Sequence, residues 1–312
     1  MSTFSSADER PQIGLWGPPQ SGKTTYLAAL KLTIDTFKTG WRMAPRPGDD
    51  AAEQFLEKET AALSQGIMPA ATESQEPIAY TFQMEHQATS VLGLDGRYQE
   101  ITIFDAAGRV VLRATFSPAY FAQLASCLGI LLMIDPGINR EAGQPGPDGN
   151  DIYYEMFMRL YHQLRRPEPD KGMSVDRSLA LCVTKIDEDD VWHAYAGKYR
   201  EDSESFMRYL VGDAAYNYVY NHFTRVKCFA VSAVGRYGEG EDRKKNFVCD
   251  ENGVWRIADL RQWQPYHVLD PIMWLFDEIE ARQQQSLPAW RRLAQSKLRE
   301  PNYPPPELFR KG

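Results

Sequence analysis

The sequence predicts an α/β protein with a mostly parallel sheet of about six strands, one antiparallel edge strand, helices on both faces and several insertions. Two observations support this fold class. Short apolar runs alternate along the chain with helical stretches, which is typical of parallel strands joined by crossover helices. One pair of runs instead flanks the dipeptide Asp95-Gly96, which indicates a hairpin and therefore an antiparallel strand.

The elements of the first half follow from the apolar pattern. Ile13–Trp16 is a short apolar strand, and the helix after it carries Leu27, Leu30 and Ile34 on one face. The first half is predicted to contain a strand at 13–16, a helix at about 23–37, a helix around 50–64 in an otherwise irregular stretch (38–76), and hairpin strands at about 78–86 and 99–104.

The second half contains two runs that are apolar throughout, at 128–135 and 179–183. Such runs are expected for strands that are covered on both faces. The other predicted elements are helices at 151–166, about 203–222 and 270–283, a strand at 226–231, and an exposed hairpin around Asp250–Gly253 within an insertion.

These elements define one domain with additions. We predict a flexible N-terminus (1–10), a single α/β domain (11–285), and a C-terminal helix with a Pro-rich tail (286–312). The insertions into the domain are expected near 38–76, 136–150, 188–201 and 236–266.

The amino-acid composition limits the kinds of binding partner and the cellular compartment that are expected for this protein. The 312 residues are 43% apolar and 25% charged, as in ordinary globular proteins, and the net charge of −7 argues against nucleic acid as the main partner. No stretch reaches the roughly 18 apolar residues that a membrane-spanning helix needs. The four cysteines lie far apart without metal-ligand spacing, which favours a reducing, cytoplasmic environment.

The strongest motif is a phosphate-binding loop. Gly17–Thr24 matches GxxxxGK[ST] without a gap, between a predicted strand and a predicted helix. Backbone N–H groups from Gln20 to Thr25 are expected to bind the phosphates, with help from the positive end of the helix. Lys23 is expected to reach the β- and γ-phosphates, and the Thr24 hydroxyl to bind Mg²⁺.

Two further motifs end predicted strands. Asp105 to Gly108 form a DxxG pattern, which places Asp105 beside Mg²⁺ and the Gly108 N–H near the γ-phosphate. The pattern is common by chance, so only its position after a strand and downstream of the phosphate loop gives it weight. A solvated turn is the alternative interpretation.

Thr184, Lys185 and Asp187 match the [NT]KxD pattern at the end of another strand. The Asp187 carboxylate can accept hydrogen bonds from N1–H and the 2-amine of guanine, and adenine has neither donor there. A site built around such bonds strongly rejects a base that lacks them. The Lys185 stem can lie over the base, and Thr184 can tie this loop to the phosphate loop. A solvated Lys/Asp turn is again the alternative.

Ser232 and Ala233 follow the next strand, in the right order for an N–H of Ala233 to reach guanine O6. A two-residue match is weak alone. Together, however, the four motifs lie at the carboxyl ends of four strands, where open α/β sheets bind ligands. The predicted nucleotide-binding residues are Gly17, Gln20, Ser21, Gly22, Lys23, Thr24, Thr25, Thr184, Lys185, Asp187, Ser232 and Ala233.

These residues resemble the Ras-like branch of translation-factor-type P-loop GTPases, over about residues 10–283. The resemblance implies binding of GTP or GDP with Mg²⁺, and GTP hydrolysis. More loosely, the Gly/Pro-rich insertions and the helix start at Leu269–Leu275 resemble bacterial GTPases of conflict-type gene clusters.

The chain departs from the Ras-like pattern after DxxG, where Arg109 stands in place of a glutamine that orients the attacking water. Arg109 cannot accept a proton, although an arginine can stabilise charge in the transition state. A solvent-facing switch residue and a partner contact are the alternatives. Hydrolysis without a partner is therefore expected to be slow.

A second open point is the switch I threonine, which the resemblance implies as a ligand of Mg²⁺. Thr72 is the best-placed candidate, because it lies just before the second strand, whereas Thr60 falls in a predicted helix. The predicted catalytic residues are Lys23, Thr72, Gly108 and Arg109, and the predicted metal ligands are Thr24, Thr72 and Asp105.

The sequence thus predicts a slow, Mg²⁺-dependent GTPase that acts as a molecular switch and whose state is read by a protein effector or a partner GTPase. One alternative is an interaction module that binds GTP or GDP with little hydrolysis, which Arg109 favours. A P-loop ATPase is a second alternative, and it would leave Asp187 without a role.

Overall fold

The computed structural model describes residues 12–18, 20–37, 39–69, 78–86, 97–105, 124–137, 151–165, 175–200, 202–238 and 243–286. Its strands are β1 (Gln12–Trp16), β2 (Trp41–Pro45), β3 (Ile78–His86), β4 (Arg97–Asp105), β5 (Gly129–Ile134), β6 (Val175–Val183), β7 (Phe223–Ala230), β8 (Arg236–Tyr237), β9 (Lys244–Lys245), β10 (Phe247–Cys249) and β11 (Trp255–Ile257). Its α-helices are α1 (Lys23–Thr36), α2 (Asp50–Ser64), α3 (Asp151–Leu164), α4 (Asp189–Ala194), α5 (Ser203–Val211), α6 (Asp213–His222) and α7 (Asp270–Ser286).

The main sheet has seven strands in the order β2-β3-β4-β1-β5-β6-β7. Strands β4, β1, β5, β6 and β7 are parallel to one another, and β3 is antiparallel to both of its neighbours. The predicted fold class, a mostly parallel α/β sheet with one antiparallel strand near its edge, is confirmed, although the antiparallel strand is β3 and the edge itself is formed by β2.

Strand β2 makes the sheet one strand larger than predicted. The stretch that contains it was expected to be irregular apart from one helix, and α2 does lie where that helix was expected. Strand β2 was missed because it has five residues, ends in Pro45 and buries only Met43, so its apolar pattern is faint.

Helices cover both faces of the sheet. In the central strand β5 the six residues are all buried, and neighbours along it point to opposite faces. Leu132 packs with Phe157 of α3 and Phe206 of α5 on one face. Leu131 packs with Leu27 of α1 and Phe276 of α7 on the other. The loops at the ends of these strands therefore rest on a core that is packed from both sides.

One predicted helix is divided. The stretch 203–222 was expected to be continuous, but Gly212 separates α5 from α6 with φ 82° and ψ 159°. That backbone conformation is open to glycine at little cost, and it ends a helix. The single-helix prediction was therefore wrong.

The insertion at 236–266 contains two small two-stranded sheets, β8–β9 and β10–β11. The predicted hairpin is confirmed, because β10 and β11 are antiparallel and Gly253 closes their turn through a 3.0 Å hydrogen bond to the Asp250 carbonyl. Residues 66–68 after α2 add to the free side of β11: Ile257 N donates to Gly66 O at 2.7 Å and Met68 N to Trp255 O at 2.9 Å. The insertion is thus attached to the segment that precedes Thr72.

The described cysteines are free thiols. Cys127, Cys182 and Cys228 are buried, and Cys249 is exposed on β10. Among the helices in the described ranges, none is long and apolar enough to cross a membrane.

Candidate nucleotide-binding site

The parallel strands bring the predicted motifs to one edge of the sheet. Residues 17–22 follow β1, 135–137 follow β5, 184–188 follow β6 and 231–235 follow β7. Since these strands are parallel neighbours, their carboxyl ends meet at the same edge. The loops at 17–22, 184–188 and 231–235 are those that the sequence predicted, and the loop at 135–137 adds to them.

The phosphate loop packs tightly at its first glycine. A Cβ atom on Gly17 would lie 2.8 Å from Met133 Cβ and 2.9 Å from both the Met133 carbonyl oxygen and Ser21 Oγ. Those distances are too short for a side chain. Glycine at position 17 is therefore required for the loop to turn against β5.

The loop then turns into α1 through two left-handed residues, Gln20 (φ 57°) and Gly22 (φ 83°). No side chain in the described part of the chain caps α1, and Tyr26 N bonds back to Gly22 O at 2.8 Å. Among the described residues, the N–H groups of Thr24 and Thr25 have no carbonyl partner one turn earlier. Such a loop and helix end form a concave site for an anion.

Lys23 spans this loop. Its side chain is buried, with 6% of the residue exposed, and Nζ donates to Gly17 O at 3.0 Å and to Pro18 O at 2.9 Å. The ammonium group thus lies beside the loop backbone, where a phosphate would lie between it and the helix N-terminus. Ser21 is fully buried, and its hydroxyl has no hydrogen-bond partner among the described residues.

Thr184 joins the β6 loop to β5. Its N–H and its hydroxyl both donate to Ile134 O, at 2.9 Å and 3.1 Å. Thr184 was expected to tie this loop to the phosphate loop, and that expectation was wrong. The hydroxyl bonds to the neighbouring strand because the parallel β5–β6 register places Ile134 next to Thr184.

Lys185 is held by Asp135, an aspartate that was not among the predicted site residues. Its ammonium group forms a 2.8 Å ion pair with Asp135, and Gly137 N donates to the other carboxylate oxygen at 2.8 Å. Lys185 itself has a left-handed backbone, with φ 53°. In the sequence, Asp135 directly follows an apolar run, as Asp105 does. This position at the end of a predicted strand could have identified Asp135 as a candidate site residue.

Asp187 is a buried carboxyl group, with 4% of the residue exposed. Burial raises its pKa to about 6, while a hydrogen bond from Ser232 and the nearby Arg236 guanidinium act in the opposite direction. A carboxyl group kept in this position costs stability unless a partner donates to it. Perturbed groups of this kind concentrate at functional sites.

Ser232 organises the loop after β7. Its hydroxyl accepts hydrogen bonds from Val234 N at 3.2 Å and Gly235 N at 2.7 Å. Trp263 Nε1 donates to Ala233 O at 3.1 Å from the far end of the insertion. The backbone of Ser232–Gly235 therefore follows a tight turn that brings Ser232 to Asp187.

Among the remaining predicted residues, the structure describes the backbone of Asp105 only. Asp105 ends β4, two residues beyond the parallel pair Leu15–Ile103, so its backbone is level with Gly17. Thr72, Gly108 and Arg109 lie outside the described residues. Within the described ranges no three His, Cys, Asp or Glu side chains form a metal cluster. That is compatible with Mg²⁺, which is usually held by one or two protein groups together with phosphates.

The fold and this loop define the class of protein. A GxxxxGK[ST] loop between β1 and α1 of a mostly parallel sheet, with polar loops along the same edge, is the arrangement of P-loop nucleotide-binding proteins.

Comparison with known proteins gives matches at the level of structure. No family model matches the sequence, and no curated protein does. Solved structures that resemble it include Sup35 complexed with GDP (16% identity, TM-score 0.31, 73% of this chain and 38% of that chain). They also include the Saccharomyces cerevisiae Ski7 GTPase-like domain bound to GDP and inorganic phosphate (14% identity, TM-score 0.31, 70% and 43%). A third is the signal recognition particle receptor SRb-GTP/SRX complex of Chaetomium thermophilum (11% identity, TM-score 0.33, 75% and 94%).

The chain spans less than half of the first structures it matches. Because the identities and TM-scores are low, the chemistry of the site is interpreted from the chain's own residues.

Proposed function

We propose that this protein binds GTP and GDP with Mg²⁺ and hydrolyses GTP slowly as a molecular switch. The observation that carries the proposal is the buried carboxyl group of Asp187, at the same sheet edge as the phosphate loop. A buried carboxylate needs donors. Guanine has two such donors, the N1–H and the 2-amine. They are spaced so that one carboxylate can accept a hydrogen bond from each.

The neighbouring residues support recognition of a whole nucleotide. Ser232 lies close to Asp187 and acts to lower the pKa of its carboxyl group, and Ala233 follows in the same turn. The ion pair with Asp135 restrains the Lys185 ammonium group. The aliphatic part of the Lys185 side chain is therefore held beside the loop 184–188. In the proposed complex the stem covers one face of the base and an N–H of Ala233 reaches O6.

The phosphate loop supports binding of the β- and γ-phosphates. The amides of Gln20 to Thr25 and the Lys23 ammonium supply the positive potential, and Lys23 would shift from the carbonyl groups of Gly17 and Pro18 to the phosphates. Mg²⁺ fits the donor set of a Thr24 hydroxyl and an Asp105 carboxylate, with Thr72 as the proposed third ligand. When bound, the ion neutralises charge on the phosphate oxygens.

For hydrolysis we propose roles for Lys23 and for the backbone donors of Gln20 and Gly108. Arg109, next to Gly108 in the sequence, is proposed to stabilise charge in the transition state. With no glutamine after DxxG, the rate without a partner is expected on the order of 10⁻³ per second or below. A protein effector or a partner GTPase is the proposed reader of the GTP-bound state.

A competition titration tests base recognition. Fluorescent GDP is bound to the purified protein with Mg²⁺ and displaced by GTP or ATP, for the wild type, Asp187→Ala and the control Asp190→Ala. Asp190 is an exposed aspartate three residues further along the chain. We expect GTP to compete at least a hundredfold better than ATP, and this preference to be lost only in Asp187→Ala. Equal competition by both nucleotides in the wild type would contradict guanine recognition.

Single-turnover hydrolysis tests the catalytic part separately. Bound GTP is expected to release phosphate faster than free GTP, and Lys23→Ala to lose this activity. If GTP binds with the expected preference and no phosphate forms above the background, with or without a partner, the chain is a GTP-binding interaction module rather than a GTPase.

A further inference from the structure

One buried arginine outside the predicted motifs contacts the base-recognition loop. Arg236 follows directly after the Ser232–Gly235 turn, and its side chain is 5% exposed. Its Nη1 donates to the main-chain carbonyl oxygen of Asp187 at 2.6 Å. The same guanidinium donates through Nη2 to the Asp189 carboxylate at 2.8 Å.

The guanidinium is held on its other sides as well. Its Nε donates to Arg243 O at 3.1 Å, and Nη2 also bonds to that carbonyl. Its plane lies over the Trp192 ring of α4, with 5.4 Å from Cζ to the ring centroid. The Arg236 side chain thus joins three parts of the protein: the loop after β6, helix α4, and the antiparallel pair β8–β9.

This arrangement suits a rigid anchor. A guanidinium presents donors in a fixed planar fork and stacks on aromatic rings, whereas an ammonium group does neither. The bond to the Asp187 carbonyl restrains the backbone from which the carboxyl group projects. Arg236 would therefore influence a bound base only through the position of Asp187, because its described contacts are all with groups of the protein.

We propose that Arg236 is a positioning residue for guanine recognition, which fixes the Asp187 backbone so that both carboxylate oxygens meet their donors on the base. The inference rests on the proposed function, since it concerns the same site. It adds that the insertion at 236–266, which Arg236 begins, takes part in base selectivity.

The test measures selectivity rather than affinity alone. Kd values for GDP and for inosine diphosphate, which lacks the 2-amine, are obtained by competition in the wild type, Arg236→Gln, Arg236→Lys and Arg261→Gln. Arg261 is the control, because it is an exposed arginine of the same insertion. Circular dichroism checks that each variant is folded.

A hydrogen bond to a charged group contributes about 1.5–3 kcal/mol, so the wild type is expected to prefer GDP over inosine diphosphate by tenfold or more. In Arg236→Gln this ratio should fall to about threefold or less, with Arg236→Lys also reduced and Arg261→Gln unchanged. A role in folding alone would change both Kd values equally and leave the ratio intact.

Two other results are distinguishable. If both Arg236 variants bind GDP with the wild-type ratio, the inference is overturned while the proposed function stands. If the wild type itself shows no preference for guanine over adenine, the proposed function is overturned, and this inference with it. Should Arg236→Gln fail to fold, the ratio in Arg236→Lys decides.

Discussion

The ionised form of Asp187 is costly in the folded protein because its carboxyl group is buried. Burial raises the pKa of this group to about 6 from its ordinary value of 3.8. The folded state therefore holds its proton more tightly than the unfolded state does. Between about pH 4 and pH 6 the free energy of unfolding falls as the pH rises, because unfolding releases this proton and a higher pH favours its release.

Replacing Asp187 with asparagine removes this cost. In the nucleotide-free protein, Asp187→Asn is expected to raise the free energy of unfolding by up to about 3 kcal/mol above pH 7, from a shift of about two pKa units. Near pH 4 the gain should vanish, since the wild-type carboxyl is then protonated. Urea denaturation at several pH values measures it, with the exposed Asp190→Asn as control. A gain that did not change with pH would contradict the assigned cause.

The same titration is expected to affect the binding of GDP under the proposed function. Only the ionised Asp187 carboxylate can accept both guanine donors, so GDP affinity should fall about tenfold per pH unit below about pH 6. Phosphate groups also titrate near pH 6, and Asp187→Asn serves as the control for that contribution. An equal pH dependence of the Kd in both proteins would show that Asp187 does not titrate in the binding step.

At the scale of elements, the loops depend on glycines that admit close packing. Gly235 is the extreme case: a Cβ there would lie 1.9 Å from Gln264 O, and its φ is +71°. The turn after β7 and the segment before Tyr266 approach each other so closely because Ser232 and Tyr266 exchange two backbone hydrogen bonds, at 3.0 Å and 2.8 Å.

Gly235→Ala is therefore expected to separate these two segments. We predict a loss of about 2–4 kcal/mol in the free energy of unfolding, from overpacking together with a disfavoured backbone. GDP binding should weaken by tenfold or more, because Ser232 shifts with the turn. Gly197→Ala is the control, since a Cβ at Gly197 meets no atom within 4 Å. Similar losses in both variants, by denaturation and titration, would contradict the packing argument.

Elements also explain where the insertion acts. Its first residue, Arg236, bonds to the loop of Asp187, and its strand β11 pairs with residues 66–68. Phe247 and Ile257 of the β10–β11 hairpin pack with Ala28 of α1 and Leu63 of α2. The insertion is thus built into the domain at both the Asp187 loop and the segment leading to Thr72.

At the scale of the whole molecule, a ligand that binds only the folded state stabilises all of it. GDP at a hundred times its Kd should add about 2.7 kcal/mol, which raises the melting temperature by several degrees in a chain of this size. ATP at the same concentration should give a much smaller shift. Equal shifts in a thermal denaturation assay, or none with GDP, would argue against guanine-nucleotide binding.

The sequence by itself determined the parts of this protein that are contiguous in the chain. The phosphate loop Gly17–Thr24 is one unbroken segment between a strand and a helix, so residue types and spacing suffice to recognise it. The pattern at Thr184–Asp187 and the hairpin around Asp250–Gly253 are equally local. The fold class followed from the alternation of apolar runs, because parallel strands need crossover helices.

Only the tertiary structure decided the contacts between distant segments. Asp135 meets Lys185 across 50 residues, and Arg236 meets Asp187 across 49. The hydroxyl of Thr184 bonds to β5 and not to the phosphate loop. Each depends on strand register and on which loops share an edge of the sheet. The physical reason is that these bonds join atoms whose proximity comes from packing, which local spacing in a sequence does not encode.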